Sequence, residues 1–221
     1  MRVLAFDTTG PILSVGAAAD AQRLCRRDVR TERGKGNFLD RAIGDVLREV
    51  GWSRPDVDGL ALLTGPGSLT ATRIGWATAA GWAQAVGIPV VGWTVPTVQK
   101  RAFGDDANGV GCCIHYRGDM FLLYDLSKSE GPPLRVQLTS NSHAACPPRT
   151  LTGPGILERR ASWAAYCGTG TNIVDDTNAI IGADTLALWG EADLLQGRSL
   201  PTHTSPLEYG LPPDFKKLAS A

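Results

Sequence analysis

The residues best placed to do chemistry lie in a glycine-rich turn that ends an apolar run and begins a helix. The apolar run is Leu60 to Leu63, and the turn is Gly65-Pro66-Gly67-Ser68. Glycine tolerates backbone conformations that break a strand, and the Ser68 hydroxyl is suited to cap the first amides of the helix. Such a turn points free N–H groups at one place near the positive end of the helix dipole, where an anion can bind. A turn without a ligand needs the same residues, and it is the simpler interpretation because the segment matches neither the P-loop nor the G-x-G-x-x-G pattern.

A second group of candidate ligands, Asp7-Thr8-Thr9-Gly10, follows the first predicted strand, Val3 to Phe6. A carboxylate and two hydroxyls at a strand tip resemble the phosphate-binding hairpin of the actin-like ATPases, although Asp and Thr are also common in plain turns. The two stretches together define a hypothetical cofactor site, either vestigial or completed at a partner interface. Its predicted members are Asp7, Thr8, Gly65, Gly67 and Ser68.

Side chains typical of catalysis are sparse in the sequence. The histidines His115, His143 and His203 are far apart and form neither H-E-x-x-H nor another metal-binding spacing. Ser68 does not lie in the G-x-S-x-G pattern of a nucleophile elbow. We therefore predict no catalytic residue, no metal site and a chain that is not an enzyme.

Charge and composition restrict the partners that the chain can hold by itself. The 22 basic and 22 acidic residues give a net charge of +0, whereas a protein that holds nucleic acid alone is usually basic. No apolar run approaches the length that spans a membrane. The five cysteines form no C-x-x-C pair, and Asp7 comes too early for a signal peptide. The sequence therefore predicts a cytoplasmic protein without a membrane partner.

One locally basic segment contains the third predicted strand, Arg23 to Val29. Two carboxylates, Asp28 and Glu32, oppose the cations of this segment, which are Arg23, Arg26, Arg27, Arg30, Arg33 and Lys35. An edge strand protected by charge is the favoured interpretation, and a contact with RNA or phosphate is the alternative.

Two predicted helices of the N-terminal half differ in how much of their surface is apolar. The helix from Phe38 to Val50 is amphipathic, whereas the helix from Thr70 to Val86 is apolar almost all round and carries strongly polar side chains only at Arg73 and Gln84. A helix of the second kind is buried on more than one side. Burial within the monomer and burial against a second protein both remain open at this point.

The order of predicted elements in the first half is βββαβαβα, which indicates an α/β fold with helices on the faces of a sheet. The polar segment Gly104 to Gly109 divides an N-terminal lobe, residues 1–103, from a smaller C-terminal lobe and tail, residues 104–221. Thr152-Gly153-Pro154-Gly155 repeats the Thr-Gly-Pro-Gly of the first lobe, which suggests a duplicated architecture. The last predicted helix lies within Thr177 to Gln196 and falls in the C-terminal lobe.

The opening of the chain and its glycine turn resemble the bacterial TsaB (YeaZ) family. Leu4-Ala5-Phe6-Asp7-Thr8-Thr9 is similar to the family's opening, and residues 65–75 match its G-P-G-S-F-T-G-x-R-I-G motif at all but two positions. Leu69 stands in place of Phe, and Ala71 stands in place of Gly. In the C-terminal lobe the similarity is looser.

This resemblance implies the actin/hexokinase-like (ASKHA) fold, with two lobes that each contain a mixed sheet flanked by helices. It also implies a non-catalytic subunit that supports the catalytic subunit TsaD, with the ATPase TsaE, in threonylcarbamoyl transfer to the adenosine beside the anticodon of tRNAs. The implied partners are a TsaD-like subunit, a TsaE-like ATPase, a second copy when the chain is alone, and tRNA only through the complex. The resemblance implies that the chain holds no cofactor of its own and that ATP or ADP binds at the partner interface.

The family dimerises through the two helices of the first lobe, which here are Phe38 to Val50 and Thr70 to Val86. The resemblance therefore places the partner interface on the apolar side of these helices. The predicted interface residues are Leu39, Ala42, Ile43, Val46, Ala71, Gly75, Trp76, Ala79 and Ala83.

The alternative function is an enzyme, either a small-molecule kinase of the actin-like fold or a peptidase-like protein. A kinase requires tight ATP binding by the lone monomer, and a peptidase requires a nucleophile or a metal with its partner residues. The sparse catalytic side chains argue against both.

Overall fold

The computed structural model describes residues 1–31, 35–128, 131–139, 143–175 and 179–209. Its N-terminal lobe is built on a five-stranded mixed sheet with the order β3-β2-β1-β4-β5. The strands are β1 (Val3–Asp7), β2 (Ile12–Ala19), β3 (Gln22–Arg30), β4 (Gly59–Leu63) and β5 (Val90–Trp93). β1 pairs antiparallel with β2 and parallel with β4. Every residue of β1 and β4 is buried, so both faces of the sheet must be covered by other elements.

A second five-stranded sheet repeats this topology in the C-terminal lobe. Its strands are β6 (Val110–Arg117), β7 (Met120–Asp125), β8 (Leu134–Gln137), β9 (Thr150–Thr152) and β10 (Asn172–Ile173). The spatial order β8-β7-β6-β9-β10 is the order of the first sheet. The two Thr-Gly-Pro-Gly segments occupy equivalent places, because in each the Gly-Pro-Gly follows the fourth strand of its sheet and precedes a helix. The predicted two-lobed α/β architecture is confirmed.

Helices α1 (Lys35–Glu49) and α2 (Leu69–Val86) cover one face of the first sheet. One continuous core joins side chains of the sheet, such as Leu4 and Phe6, with Val46 of α1 and Ala79 of α2. A short 3-10 helix (Arg54–Asp56) connects α1 to β4. The helices therefore pack on each other and on the sheet of their own chain.

Helix α5 (Ala183–Leu195), near the end of the described chain, covers the opposite face of the first sheet. Ala183, Leu186 and Ala187 pack in one core with Val3 and Ala61. The predicted division after residue 103 assigns this helix by sequence to the C-terminal lobe, whereas the helix packs on the N-terminal sheet. The reason is that the apolar second face of the N-terminal sheet requires a cover that its own lobe does not supply.

Helix α3 (Val95–Phe103) makes the reciprocal connection to the C-terminal lobe. Val98 shares its core with Val110 and Cys112 of β6. The buried Gln99 donates through Nε2 to the carbonyl of Ala179 at 3.0 Å and accepts from Thr152 Oγ1 at 3.0 Å. A short 3-10 helix (Gly104–Ala107) follows α3, and helix α4 (Ile156–Cys167) packs on the second sheet around Trp163.

The described segment that follows α5 also packs against the N-terminal lobe, and it forms no helix or strand. We call residues 200–209 the C-terminal segment. The Leu200 amide donates to the carbonyl of Val90 at 2.7 Å, and the Glu208 amide donates to the carbonyl of Thr64 at 2.8 Å. Within the described ranges, no helix is long and apolar enough to cross a membrane.

Candidate functional site

The first glycine of the predicted anion-binding turn faces the C-terminal segment. Gly65 has a φ of +110°, which only glycine adopts without strain, and a Cβ at this position would overlap the backbone of Glu208. The Gly65 carbonyl accepts a hydrogen bond from Val95 N at 2.7 Å. Gly65 therefore holds the turn against its own chain and lines no open space.

Gly67 and Ser68 pack against the turn between β1 and β2. A Cβ at Gly67 would lie 2.8 Å from Thr9 Cβ, and Ser68 N donates to the carbonyl of Thr9 at 2.9 Å. Ser68 is the N-cap residue of α2, but its side chain makes no capping hydrogen bond. The expectation that its hydroxyl caps the helix is therefore wrong. Ser68 instead contributes its carbonyl, which accepts from Thr72 N at 2.9 Å and from Thr72 Oγ1 at 2.8 Å.

Asp7 and Thr8 are buried rather than open to a ligand. Asp7 Oδ1 accepts hydrogen bonds from Thr9 N and Thr9 Oγ1, both at 2.7 Å. Thr8 lies against α2, where a Cβ on Gly75 would be 2.6 Å from Thr8 Oγ1. Asp7, Thr8, Gly67 and Ser68 thus meet around Thr9, and of the five predicted cofactor-site residues, Ser68 alone lines the cleft described next. Nucleotide binding at this place stays a prediction.

A cleft of about 960 Å³ opens between the lobes beside Ser68. Arg30 and Thr70 contribute to its N-terminal wall, and His115 and Glu158 to its C-terminal wall. Within the described part of the chain, Arg30 has no ion-pair partner. Sequence reasoning missed this set because its members come from four elements and share no motif.

His115 links two parts of the C-terminal wall. Its Nδ1 lies 2.8 Å from Glu158 Oε2, and its Nε2 lies 2.9 Å from the carbonyl oxygen of Gly118. The hydrogen bond with Glu158 raises the pKa of His115 above its ordinary value, more than burial lowers it. Among the described residues, no group of three or more His, Cys, Asp or Glu side chains is arranged to hold a metal ion.

The arginines of β3 are largely engaged with carboxylates of the same chain. Arg23 and Arg26 lie near Asp184 of α5, at 3.7 Å and 3.6 Å, and Arg27 pairs with Glu49 of α1. These contacts support the interpretation of β3 as a charged edge strand over that of an RNA contact.

The residues predicted to form the partner interface are all buried in the monomer. The core between α1, α2 and the sheet contains Leu39, Ala42, Ile43, Val46, Trp76, Ala79 and Ala83, and Ala71 and Gly75 are buried nearer the start of α2. Their own chain covers most of each side chain, although Ile43 also lines the groove between α1 and α2 and Ala71 lines the cleft. Their role in partner contact stays a prediction. An apolar helix pattern shows that a face is buried but does not show what buries it.

The solvent-exposed side of α2 is formed by other residues of the same helix. We call Arg73, Ala77, Gly81, Gln84 and Ala85 the α2 strip; all five are exposed. They recur at spacings of three and four and therefore share one side of the helix. A Cβ added to Gly81 would meet no atom within 4 Å. The strip is narrow, made mainly of small residues, and carries a single charge, that of Arg73.

A groove of about 320 Å³ runs between α1 and α2 beside the strip. Trp82 lies in this groove under the Arg54 guanidinium, 5.5 Å from the ring centroid, and Arg54 pairs with Asp40 at 2.6 Å. The groove thus combines a half-buried aromatic ring with a paired, exposed arginine, a combination frequent at protein–protein interfaces.

The chain is similar to known proteins both in sequence and in fold. Residues 32–99, which include α1 and α2, match the TsaD family model, described as tRNA N6-adenosine threonylcarbamoyltransferase. The tRNA threonylcarbamoyladenosine biosynthesis protein TsaB of Escherichia coli (strain K12) is 35% identical over 109 residues, which cover 47% of this chain and 44% of the relative. YeaZ from Pseudomonas aeruginosa superimposes with a TM-score of 0.67 at 20% identity and covers 94% of this chain and 99% of its own. The resemblance to the TsaB (YeaZ) family is confirmed.

A further structure supports the same fold. An uncharacterised protein with similarity to peptidase YeaZ, from Pseudomonas aeruginosa, gives a TM-score of 0.69 at 20% identity over 95% of this chain and 99% of that one. The predicted actin/hexokinase-like fold is confirmed by these superpositions and by the repeated strand order of the two sheets. The sequence match to TsaB spans less than half of the relative's length.

Proposed function

We propose that this TsaB-like chain is a non-catalytic accessory subunit in the biosynthesis of threonylcarbamoyladenosine in tRNA. In this role it binds a TsaD-type catalytic subunit in the cytoplasm through the α2 strip and the neighbouring α1–α2 groove. The observation that carries the proposal is the strip itself: an exposed helix side of small, almost uncharged residues. It lies within residues 32–99, the segment that matches the TsaD family model.

The geometry near Asp7 supports an accessory role over the kinase alternative. A general base or metal-binding carboxylate must be open to substrate or metal. The Asp7 side chain is buried and accepts two hydrogen bonds from Thr9. We infer that this loop stabilises the start of α2 and that the transfer chemistry takes place on the partner.

The resemblance to TsaB extends the proposal to the rest of the assembly. A TsaE-type ATPase joins the two subunits, tRNA is reached only through the complex, and the chain forms a homodimer through the same strip when alone. ATP or ADP binds at the partner interface rather than in a site made by this chain only.

The test replaces Ala77 of the strip by arginine. Ala77 and Ala164 are both exposed helical alanines, in α2 and in α4 of the other lobe, so Ala164→Arg is a matched control. Ala77→Arg is expected to weaken binding of the TsaD-type protein of the same organism by at least about tenfold, because it puts an unpaired charge into the interface. Threonylcarbamoyl transfer by the reconstituted mixture is expected to fall with it, whereas Ala164→Arg leaves both unchanged. Wild-type binding by Ala77→Arg, measured by calorimetry, contradicts the proposal.

A further inference from the structure

The single charge on the exposed side of α2 is held in place by the C-terminal segment. Arg73 is the only charged residue of the helix. Its guanidinium lies over the ring of Tyr209, 5.9 Å from the centroid, and its Nε lies 3.5 Å from the Tyr209 hydroxyl. An arginine stacked on an aromatic ring keeps its outer N–H groups free to bind a carboxylate.

Arg73 lacks the ion pair that several arginines around the two helices make. Arg27, Arg48 and Arg54 each pair with a carboxylate of the same chain. Within the residues that the structure describes, no carboxylate pairs with Arg73. Among the described residues, Arg30 of β3 and Arg41 of α1 likewise have no carboxylate partner, but Arg73 is the charged member of the α2 strip, and no other residue of the strip balances its charge.

The C-terminal segment is anchored along α2 at several points, so that Tyr209 has a defined position. Gln84 Nε2 donates to the carbonyl of Thr202 at 3.1 Å, and Leu207 packs against the core beneath α1 and α2. Glu208 N donates to the carbonyl of Thr64 at 2.8 Å, one residue before Tyr209. The C-terminal segment thus lies along one side of the α2 strip, and Arg73 is at the contact between the two.

The small residues of the α2 strip allow a second helix to pack closely on it. Ala77 and Gly81 follow Arg73 at spacings of four, which gives a row of small residues along the helix. Small side chains at a contact reduce the distance between helix axes, which is otherwise about 8–10 Å.

We propose that Arg73 is the polar anchor of the docking surface and that it binds a carboxylate on a helix of the TsaD-type partner, whose apolar side chains cover Ala77 and Gly81. Tyr209 is a positioning residue that orients Arg73 for this contact. This inference rests on the proposed function. It adds the chemistry of the partner segment, an acidic side chain followed by small or apolar ones, and a role for the C-terminal segment.

The test measures the affinity of the full chain for the TsaD-type protein at low and high salt. Arg73→Ala is expected to lose about tenfold or more in affinity and most of the salt dependence, because it removes a charge pair at the interface. Arg117→Ala removes an exposed arginine from the C-terminal lobe and is the matched control. It is expected to bind with the wild-type affinity and salt dependence.

A double-mutant cycle tests the role of Tyr209. Tyr209→Ala is expected to weaken binding several-fold, and Arg73→Ala/Tyr209→Ala is expected to bind no worse than Arg73→Ala, since Tyr209 acts through Arg73. Thermal unfolding of each variant shows whether it is folded, and Arg73→Lys, which retains charge but not the planar fork, is expected to recover part of the affinity.

Unchanged affinity of folded Arg73→Ala, or additive losses in the cycle, overturns the inference. If Ala77→Arg also binds normally, the proposed function fails; if only the Arg73 variants bind normally, the proposed function stands without this anchor.

Discussion

His115 forms two hydrogen bonds that require its charged form. Both of its partners, the Glu158 carboxylate and the Gly118 carbonyl, are acceptors, and a neutral imidazole has one N–H to donate. The neighbouring Phe121 ring, 5.1 Å away between centroids, is uncharged, and the positive charge of Arg159 opposes the imidazolium. The Glu158 contact outweighs this opposition, which is why the pKa of His115 is raised.

A raised pKa in the folded state predicts that this contact stabilises the protein at low pH. The stabilisation is fully present below the pKa of an unfolded histidine, about 6.5, and it is lost as the pH rises through the raised pKa of the folded state. Glu158→Gln is therefore expected to be less stable than the wild type near pH 6, by about 1 kcal/mol or less because both side chains are partly exposed. The difference should shrink in alkaline solution, as measured by urea unfolding at several pH values.

His203→Gln provides the matched variant, since His203 is an exposed histidine of the C-terminal segment. It is expected to unfold like the wild type at each pH. A stability difference between Glu158→Gln and the wild type that is constant from acidic to alkaline solution contradicts an imidazolium at residue 115.

At the scale of elements, the docking of α5 depends on the absence of a side chain at one position of β2. A Cβ on Gly16 would lie 2.5 Å from the carbonyl carbon of Ala183 and 2.7 Å from Asp184 Cα. Both are backbone atoms at the start of α5, which no change of rotamer can move. Gly16→Ala is expected to lower the free energy of unfolding by about 1–3 kcal/mol, the usual cost of overpacking a core, measured by urea denaturation.

Gly81→Ala is the control for this change, because a Cβ there meets no atom within 4 Å. Alanine favours a helix more than glycine does, so this variant is expected to be more stable by about 0.5–1 kcal/mol. Equal stability of Gly16→Ala and the wild type would mean that α5 does not lie against β2 as described.

The elements that the sequence predicted are those with a strong local signal. The sequence showed the apolar runs of β1 and β4, the glycine turn and the long apolar pattern of α2. Burial of a strand on both faces, or of a helix on most sides, leaves few polar residues in the segment. Helix α4 was missed. Only Ile156, Trp163 and Cys167 are buried among its 12 residues, and Arg159 departs from helical φ and ψ, so no regular period marks it.

The side of α2 that faces solvent could not be identified from the sequence, for a different physical reason. Gly75, Ala79 and Ala83 recur at a spacing of four along α2, and they lie at tight contacts with elements of the same chain. The exposed Ala77 and Gly81 look the same in composition. Which row faces solvent depends on where α1 and the C-terminal segment pack, and that information is not local in sequence.

At the scale of the whole molecule, the two lobes share one core through an exchange of helices. α3 follows the first sheet in sequence and packs with β6 of the second, whereas α5 follows the second sheet and packs on the first. Val98, Leu186 and Val110 belong to the same buried cluster. We infer that neither residues 1–103 nor residues 104–221 form a complete folding unit.

This arrangement predicts that residues 1–103 do not fold as an independent domain. Without α5, the second face of the first sheet exposes the apolar residues Val3, Ala5, Ala61, Leu63 and Val91. A sheet face of this kind destabilises the monomer and promotes aggregation. The fragment is expected to show no cooperative transition on heating or in urea, whereas the full chain unfolds in a single transition.

A matched fragment separates the missing helix from the effect of truncation itself. Joining residues 179–209 to residues 1–103 through a flexible glycine–serine linker restores α5 and the C-terminal segment at high effective concentration. This fusion is expected to regain a cooperative transition, because the packing of α5 on β1, β2 and β4 again covers the sheet. If the fragment 1–103 alone unfolds cooperatively, with a midpoint like that of the fusion, the exchanged helix is not what holds the N-terminal lobe together.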